Sequence, residues 1–370
     1  MTTLHVILDE MLAPSSSGVD RYTENLALAL IGAAPRGCDV GGLVGASTEP
    51  QYARIHEALP GLTALGKNAL ARRELTAAWQ HGFTRLPGRG LLFAPSLFAP
   101  LARHDRVNAG EQIIVAVHDA LQWSHPEALT AHTLSWRRAM IKRAERYADA
   151  VVVPTHAVAD ALDEFTGFGN RVRVVSPAPD SALALPGDVD ARAAALDLPG
   201  RYIVVRDASL PGSRLGAVAR AVDSLDDVAL IVLESSVGAD RTDHLSDTAP
   251  QVRVLRSLGD EDTAVAISRA SVFIDASAGS ENLIHMLDAM ELGTPVVHVA
   301  SKSRAEIAAD STLAFEAVGD DIRDGLSSAL DGILNDREAA VRLGLLGSDR
   351  ASAFAWRSAA ETVWQLQADL

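Results

Sequence analysis

Ala276-Ser277-Ala278-Gly279-Ser280-Glu281-Asn282-Leu283-Ile284-His285-Met286-Leu287-Asp288-Ala289-Met290-Glu291-Leu292-Gly293-Thr294-Pro295-Val296-Val297 is the stretch whose reading decides the fold. Just upstream, Ala270-Ser271-Val272-Phe273-Ile274-Asp275 is short, apolar and β-branched, the signature of a buried strand. A small polar loop follows, then a helix of about ten residues that Gly293 and Pro295 stop. A second strand begins at Val296. Strand, Gly/Ser loop and helix N-terminus together offer backbone N–H groups and a positive dipole end, a setting suited to an anion such as a diphosphate.

The same rhythm extends outward in both directions. Tyr202 to Val205, Val228 to Leu233 and Val252 to Leu255 read as strands, and helices are expected over Leu215 to Leu225, Ile322 to Leu334, Arg337 to Leu346 and from Trp356. In the first half, strands are expected at Leu4 to Leu8, Val40 to Val44, Leu91 to Ala94, Ile113 to Val117, Ala150 to Val153 and Val172 to Val175, with a long helix from Thr130 to Tyr147. The loop Pro14-Ser15-Ser16-Ser17-Gly18 joins the first strand to a helix, and glycine there lets the backbone approach a ligand. It lacks the G-x-G-x-x-G spacing of a dinucleotide site. His118-Asp119 falls at the carboxyl end of a strand, where open parallel sheets bind ligands. It is equally readable as a catalytic or binding pair and as a loop-orienting hydrogen bond. The Ala-, Pro-, Gly- and Asp-rich segment from about Ser181 to Pro199 reads as the linker between two doubly wound α/β domains.

Composition sets the outer bounds. A chain of 370 residues, 48% hydrophobic, is long enough for two cores. A formal charge of −15 argues against a general nucleic-acid binder. The single cysteine, Cys38, forbids an intrachain disulfide and fits a reducing compartment. No apolar run is long enough to span a bilayer, and Met1-Thr2-Thr3-Leu4-His5 lacks signal-peptide character, so a cytoplasmic location is expected. A peripheral contact with the inner membrane face would use Trp136-Arg137-Arg138 and Lys142-Arg143; a solvated helix face is the plainer reading of that patch.

Five blocks, in order, resemble the retaining glycosyltransferases of family 4, which have the GT-B fold. Gly18-Val19-Asp20-Arg21-Tyr22 resembles that family's first loop and helix. Val117-His118-Asp119-Ala120-Leu121 with His125-Pro126-Glu127 resembles its HDL…P segment, and Val151-Val152-Val153-Pro154-Thr155-His156 its strand ending in Ser or Thr. Asp288-Ala289-Met290-Glu291-Leu292-Gly293-Thr294-Pro295-Val296-Val297 resembles EAMAxGxPVV, and Phe354-Ala355-Trp356 resembles FSW. The resemblance implies two Rossmann-like domains facing a central cleft. Residues 1–185 would form the acceptor domain, 186–352 the nucleotide-sugar domain, and 353–370 a terminal helix packing back toward the first. It implies hexose transfer from a GDP- or UDP-hexose to a glycan, a lipid-linked acceptor or a small molecule, in polysaccharide or glycolipid synthesis, with no cofactor and no metal.

By the same resemblance, His118 and Asp119 are the catalytic candidates. Gly18, Arg206, Arg214, Ser280, Glu281, Asn282 and Asp288 are the donor-site candidates, with Asp288 on the ribose and Arg206 or Arg214 on the phosphates. The sequence departs from the family at two places. The first of its two glutamates falls on Ser280, with Glu281 beside it, and its Arg/Lys pair falls on Gly212 and Ser213. These departures motivate a second reading, a glycosyltransferase-like partner subunit with weak or no catalysis.

Overall fold

The computed structural model describes residues 2–13, 18–83, 90–206, 214–234, 251–277, 283–317 and 322–370. The chain divides into two compact α/β units. One comprises Met1–Ala13, Val19–Pro177 and Ala355–Leu370; the other comprises Ala178–Phe354, with Gly18 also assigned to it.

The first unit is built on a parallel sheet of seven strands: β1 (Thr2–Ile7), β2 (Cys38–Val44), β3 (Leu65–Lys67), β4 (Leu91–Ala94), β5 (Gln112–Ala116), β6 (Ala150–Val153) and β7 (Val172–Val174). Their order is β3-β2-β1-β4-β5-β6-β7. Helices cover both faces, so the central strands are apolar throughout rather than alternating; Ile113, Ile114 and Val115 are all essentially inaccessible. The chain runs outward from β1 to β3, then returns to lay β4 on the other side of β1, which makes the β1/β4 junction the switch point of the sheet. The Trp356–Asp369 helix belongs to this unit and packs on the Val19–Gly32 helix. There the Trp364 indole N–H donates to the Leu30 carbonyl at 3.0 Å.

The second unit has six parallel strands: β8 (Tyr202–Arg206), β9 (Ala229–Glu234), β10 (Val252–Arg256), β11 (Val272–Asp275), β12 (Val296–Val299) and β13 (Leu313–Phe315), ordered β10-β9-β8-β11-β12-β13. Its switch point lies between β8 and β11. The helix of the deciding stretch is Leu283–Glu291. Gly293, at φ 73°, ends it in the left-handed conformation, and Thr294 N–H reaches back to Ala289 O at 2.9 Å as in a Schellman closure.

Three features differ from the sequence reading. Residues 181–199, read as a linker, carry the Val189–Ala195 helix. Arg192 pairs with Asp188 one turn away at 2.9 Å and reaches across to Asp262 at 2.8 Å and to Glu261, the last two being contacts between residues too distant in sequence to be seen as a pattern. The three-residue edge strands β3 and β13 are too short for an alternating signal. The basic patch on the Ala131–Tyr147 helix is split: Arg137 is buried and Trp136 packs against the core, Arg143 is half-buried and donates to Leu101 O, while Arg138, which donates to Gln122 O at 3.0 Å, and Lys142 are exposed. Among the described residues, no helix is long and apolar enough to cross a membrane.

Candidate functional site

Each switch point gathers polar side chains at the carboxyl ends of its strands, where open α/β sheets hold ligands. In the second unit, β8 ends in Arg206 and β11 in Asp275, followed by Ala276 and Ser277. Asp288 sits one turn into the Leu283–Glu291 helix and is only 1% exposed. Its Oδ2 accepts from the Arg206 guanidinium at 2.9 Å, and its Oδ1 from the Asp180 backbone N–H at 2.7 Å. The sequence assigned ribose to Asp288 and phosphate to Arg206 as separate tasks; the fold makes them an ion pair across 82 residues.

Arg214 stands at the N-terminus of the Leu215–Asp223 helix, with its own backbone left-handed at φ 55°. Its guanidinium donates to Ala276 O at 3.3 Å, which ties it to the end of β11. Val205, Arg206, Ser277 and His285 line a small cavity between the ends of β8 and β11. Ser280, Glu281 and Asn282 lie outside the described residues, as do Gly212 and Ser213.

The loop leaving β11 is held by a residue that the sequence reading passed over. Arg304, 2% exposed, grips Asp275 with two bonds, Nε to Oδ2 at 2.8 Å and an Nη to Oδ1 at 3.1 Å. It also donates to Ser277 O at 2.9 Å and Ser277 Oγ at 2.8 Å. Asp275 Oδ1 in turn accepts from Ser277 Oγ at 2.7 Å. This paired fork fixes the backbone at Ser277, where the chain leaves β11. A lone arginine on a polar helix gives no such signal in sequence.

In the first unit, β1, β4 and β5 are followed within two or three residues by Asp9-Glu10, Pro95-Ser96 and His118-Asp119 respectively. His118 Nε2 donates to Pro95 O at 2.7 Å, which fixes the proton on Nε2 and the lone pair on Nδ1. Burial lowers the His118 pKa, favouring the neutral imidazole. Tyr22 stands edge-on to it, ring centroids 4.7 Å apart. Asp119 is buried, paired with Arg137, and caps its own loop by accepting from Leu121 N–H at 2.9 Å. Those bonds give Asp119 a loop-orienting role. Gly18, at φ 83°, stands immediately before the Val19–Gly32 helix in a conformation that a side chain would strain.

Asp9 and Glu10 went unread in the sequence, although both follow the first strand directly. Glu10 Oε2 pairs with Arg72 at 2.8 Å, and its Oε1 accepts from Ser96 Oγ at 2.6 Å. Asp9 Oδ1 accepts from Gly45 N–H at 3.0 Å, and burial pushes its carboxyl up to about 6.

No protein-family model matches the chain, and no curated protein sequence matches it. Solved structures do. Sucrose-phosphate synthase from Thermosynechococcus elongatus aligns at a TM-score of 0.74 and 18% identity, covering 100% of this chain and 99% of its own. HepE of Anabaena, solved in complex with UDP-glucose, aligns at 0.74 and 14%, covering 100% of each chain. A UDP-N-acetylglucosamine 2-epimerase of Listeria monocytogenes, so described provisionally, aligns at 0.60 and 11%, covering 98% and 95%. With two parallel α/β sheets of seven and six strands, these likenesses establish the GT-B fold.

Proposed function

We propose that the chain is a glycosyltransferase that takes a hexose from a nucleotide diphosphate sugar, UDP- or GDP-linked, and passes it to a glycan or lipid-linked acceptor with retention of configuration. The observation that carries this reading is the convergence of Arg206, Asp288 and Arg214 at the switch point of the second sheet. It is supported by an end-to-end likeness to a protein solved with UDP-glucose.

The chemistry asks for charge more than for covalent help. When the bond from the anomeric carbon to the phosphate oxygen breaks, negative charge grows on the departing diphosphate, and a preorganised cation lowers that barrier. Arg214, tethered to the end of β11, is the cation assigned to it. Asp288 is assigned to the ribose hydroxyls, and its pair with Arg206 orients it. His118, neutral and fixed in one tautomer, contacts the donor sugar or the acceptor hydroxyl by hydrogen bonding.

The second reading, a nucleotide-sugar binder with little transfer, draws on one specific observation: the Arg206 charge is already met by Asp288. The two readings separate on a panel of UDP-, GDP- and ADP-hexoses followed by NMR of the products. Transfer or slow hydrolysis with the anomeric configuration retained is expected, falling about 10²–10³-fold in Arg214→Ala. Binding without turnover supports the second reading. A wild-type protein that binds none of the nucleotides sinks both.

A further inference from the structure

We infer a second anion site, independent of the proposed donor site, at the opposite edge of the first sheet. A pocket of about 850 Å³ opens at the amino ends of β6 and β7, where Asp149 precedes β6 and Arg171 and Arg173 flank the start of β7. The switch-point residues His118 and Ser96 lie at the carboxyl ends of the same sheet, on the order of 15 Å away along strands of this length.

The lining is unusual for a chain with a net charge of −15. Five arginines, Arg103, Arg106, Arg146, Arg171 and Arg173, line it with one side-chain carboxylate, that of Asp149, and with Leu370, whose carboxyl oxygen Arg106 meets. Asp149 is met by His104 Nε2 at 2.8 Å and, more loosely, by Arg106 at 4.0 Å. Arg171 is built into place: it donates to the carbonyls of Phe168 at 3.2 Å, Ala148 at 2.7 Å and Glu145 at 2.8 Å, bonds that orient the guanidinium without neutralising it. Arg173 likewise donates to main-chain carbonyls, and Arg106 to Leu370 O at 2.9 Å. Among the described residues, Arg103 and Arg146 form no ion pair.

Such an excess of guanidinium groups is costly to gather, because like charges repel. It fits a small ligand of two or more negative charges, and the planar fork of arginine suits phosphate oxygens. The volume exceeds that of a bare phosphate and lies in the range of organic-ligand sites. Tyr147 and Leu366 offer a less polar wall for an organic body. The ligand class is therefore a phosphate ester or diphosphate, free in solution or as a lipid headgroup.

The test is to footprint the full chain with phenylglyoxal across a pyrophosphate titration and read arginine modification by mass spectrometry. Arg103 and Arg146 should be protected, and the double variant Arg103→Gln/Arg146→Gln should bind pyrophosphate at that edge about 10–100-fold more weakly. Arg54→Gln, an exposed arginine elsewhere, should leave binding unchanged. Sedimentation with phosphatidic acid vesicles, reversed by pyrophosphate and lost in the double variant, would identify the lipid headgroup as the source; protection without sedimentation would identify a soluble ester. Unprotected Arg103 and Arg146, or unchanged affinity in the double variant, would overturn the proposal.

Discussion

Asp288 and Asp9 are both buried carboxylates at switch points, and their surroundings treat them in opposite ways. Asp288 has a guanidinium at 2.9 Å, whereas Asp9 has only the Gly45 N–H at hydrogen-bond distance, with Arg72 acting from farther off. Burial raises Asp9 from its ordinary 3.8 to about 6. The native state therefore holds that proton more tightly than the unfolded chain, and stability falls as pH rises from about 4 to about 6. Asp9→Asn keeps an acceptor for Gly45 and removes the charge. Above pH 6 it should stabilise the fold by up to about 3 kcal/mol, and below pH 4 by nothing; denaturant melts across that range would check it. Removing one member of the Arg206–Asp288 pair should act the other way. Arg206→Ala leaves a buried carboxylate uncompensated and should cost about 3–5 kcal/mol, measurable by urea unfolding. Such pairings were invisible in the sequence. Arg206 and Asp288 were each legible as candidates from their place after a strand and in a helix, but their contact is a product of the tertiary fold.

At the scale of elements, the central strands were legible because strands buried on both faces are continuous apolar runs. Leu91–Ala94 and Ala150–Val153 coincide with their expected bounds. The Gly293 stop was legible because a left-handed C-cap favours glycine. What failed were β3 and β13, whose three residues carry no period, and the Val189–Ala195 helix, hidden by an alanine- and proline-rich surround. The helix expected over Arg337 to Leu346 is present and runs on to Ala351, through two glycines. The Arg337–Ala351 helix contains Gly344 and Gly347, which weaken a helix in isolation. A Cβ on Gly344 would stand 2.3 Å from the Gly293 carbonyl oxygen, and one on Gly347 would stand 3.5 Å from Met290. Gly344 thus lets this helix lie against the very corner that ends the Leu283–Glu291 helix. Gly344→Ala, favourable by helix propensity, should instead destabilise by about 1–3 kcal/mol in thermal melts. Gly332→Ala, on the Arg323–Leu334 helix with nothing within 4 Å of an added Cβ, should not.

At the scale of the molecule, fold class followed from the alternation of strands and helices, and the strand orders supplied what alternation does not: where each sheet switches direction, and so where its polar strand ends gather. The last helix shows the reach of that organisation. Trp356–Asp369 belongs to the unit that begins the chain, and the Trp364–Leu30 bond spans 334 positions. Trp364→Ala removes a buried ring and orphans that carbonyl, with an expected loss of about 3–5 kcal/mol in denaturant unfolding. The central claim, a nucleotide diphosphate sugar held at the β8/β11 switch point, is tested most directly by calorimetric titration of wild type and Arg214→Ala with UDP, UDP-glucose and GDP-mannose. The account predicts saturable one-to-one binding of at least one of the three, weakened about tenfold or more in Arg214→Ala with the fold intact. Wild-type protein that binds none of them, or binding that Arg214→Ala leaves untouched, would contradict it.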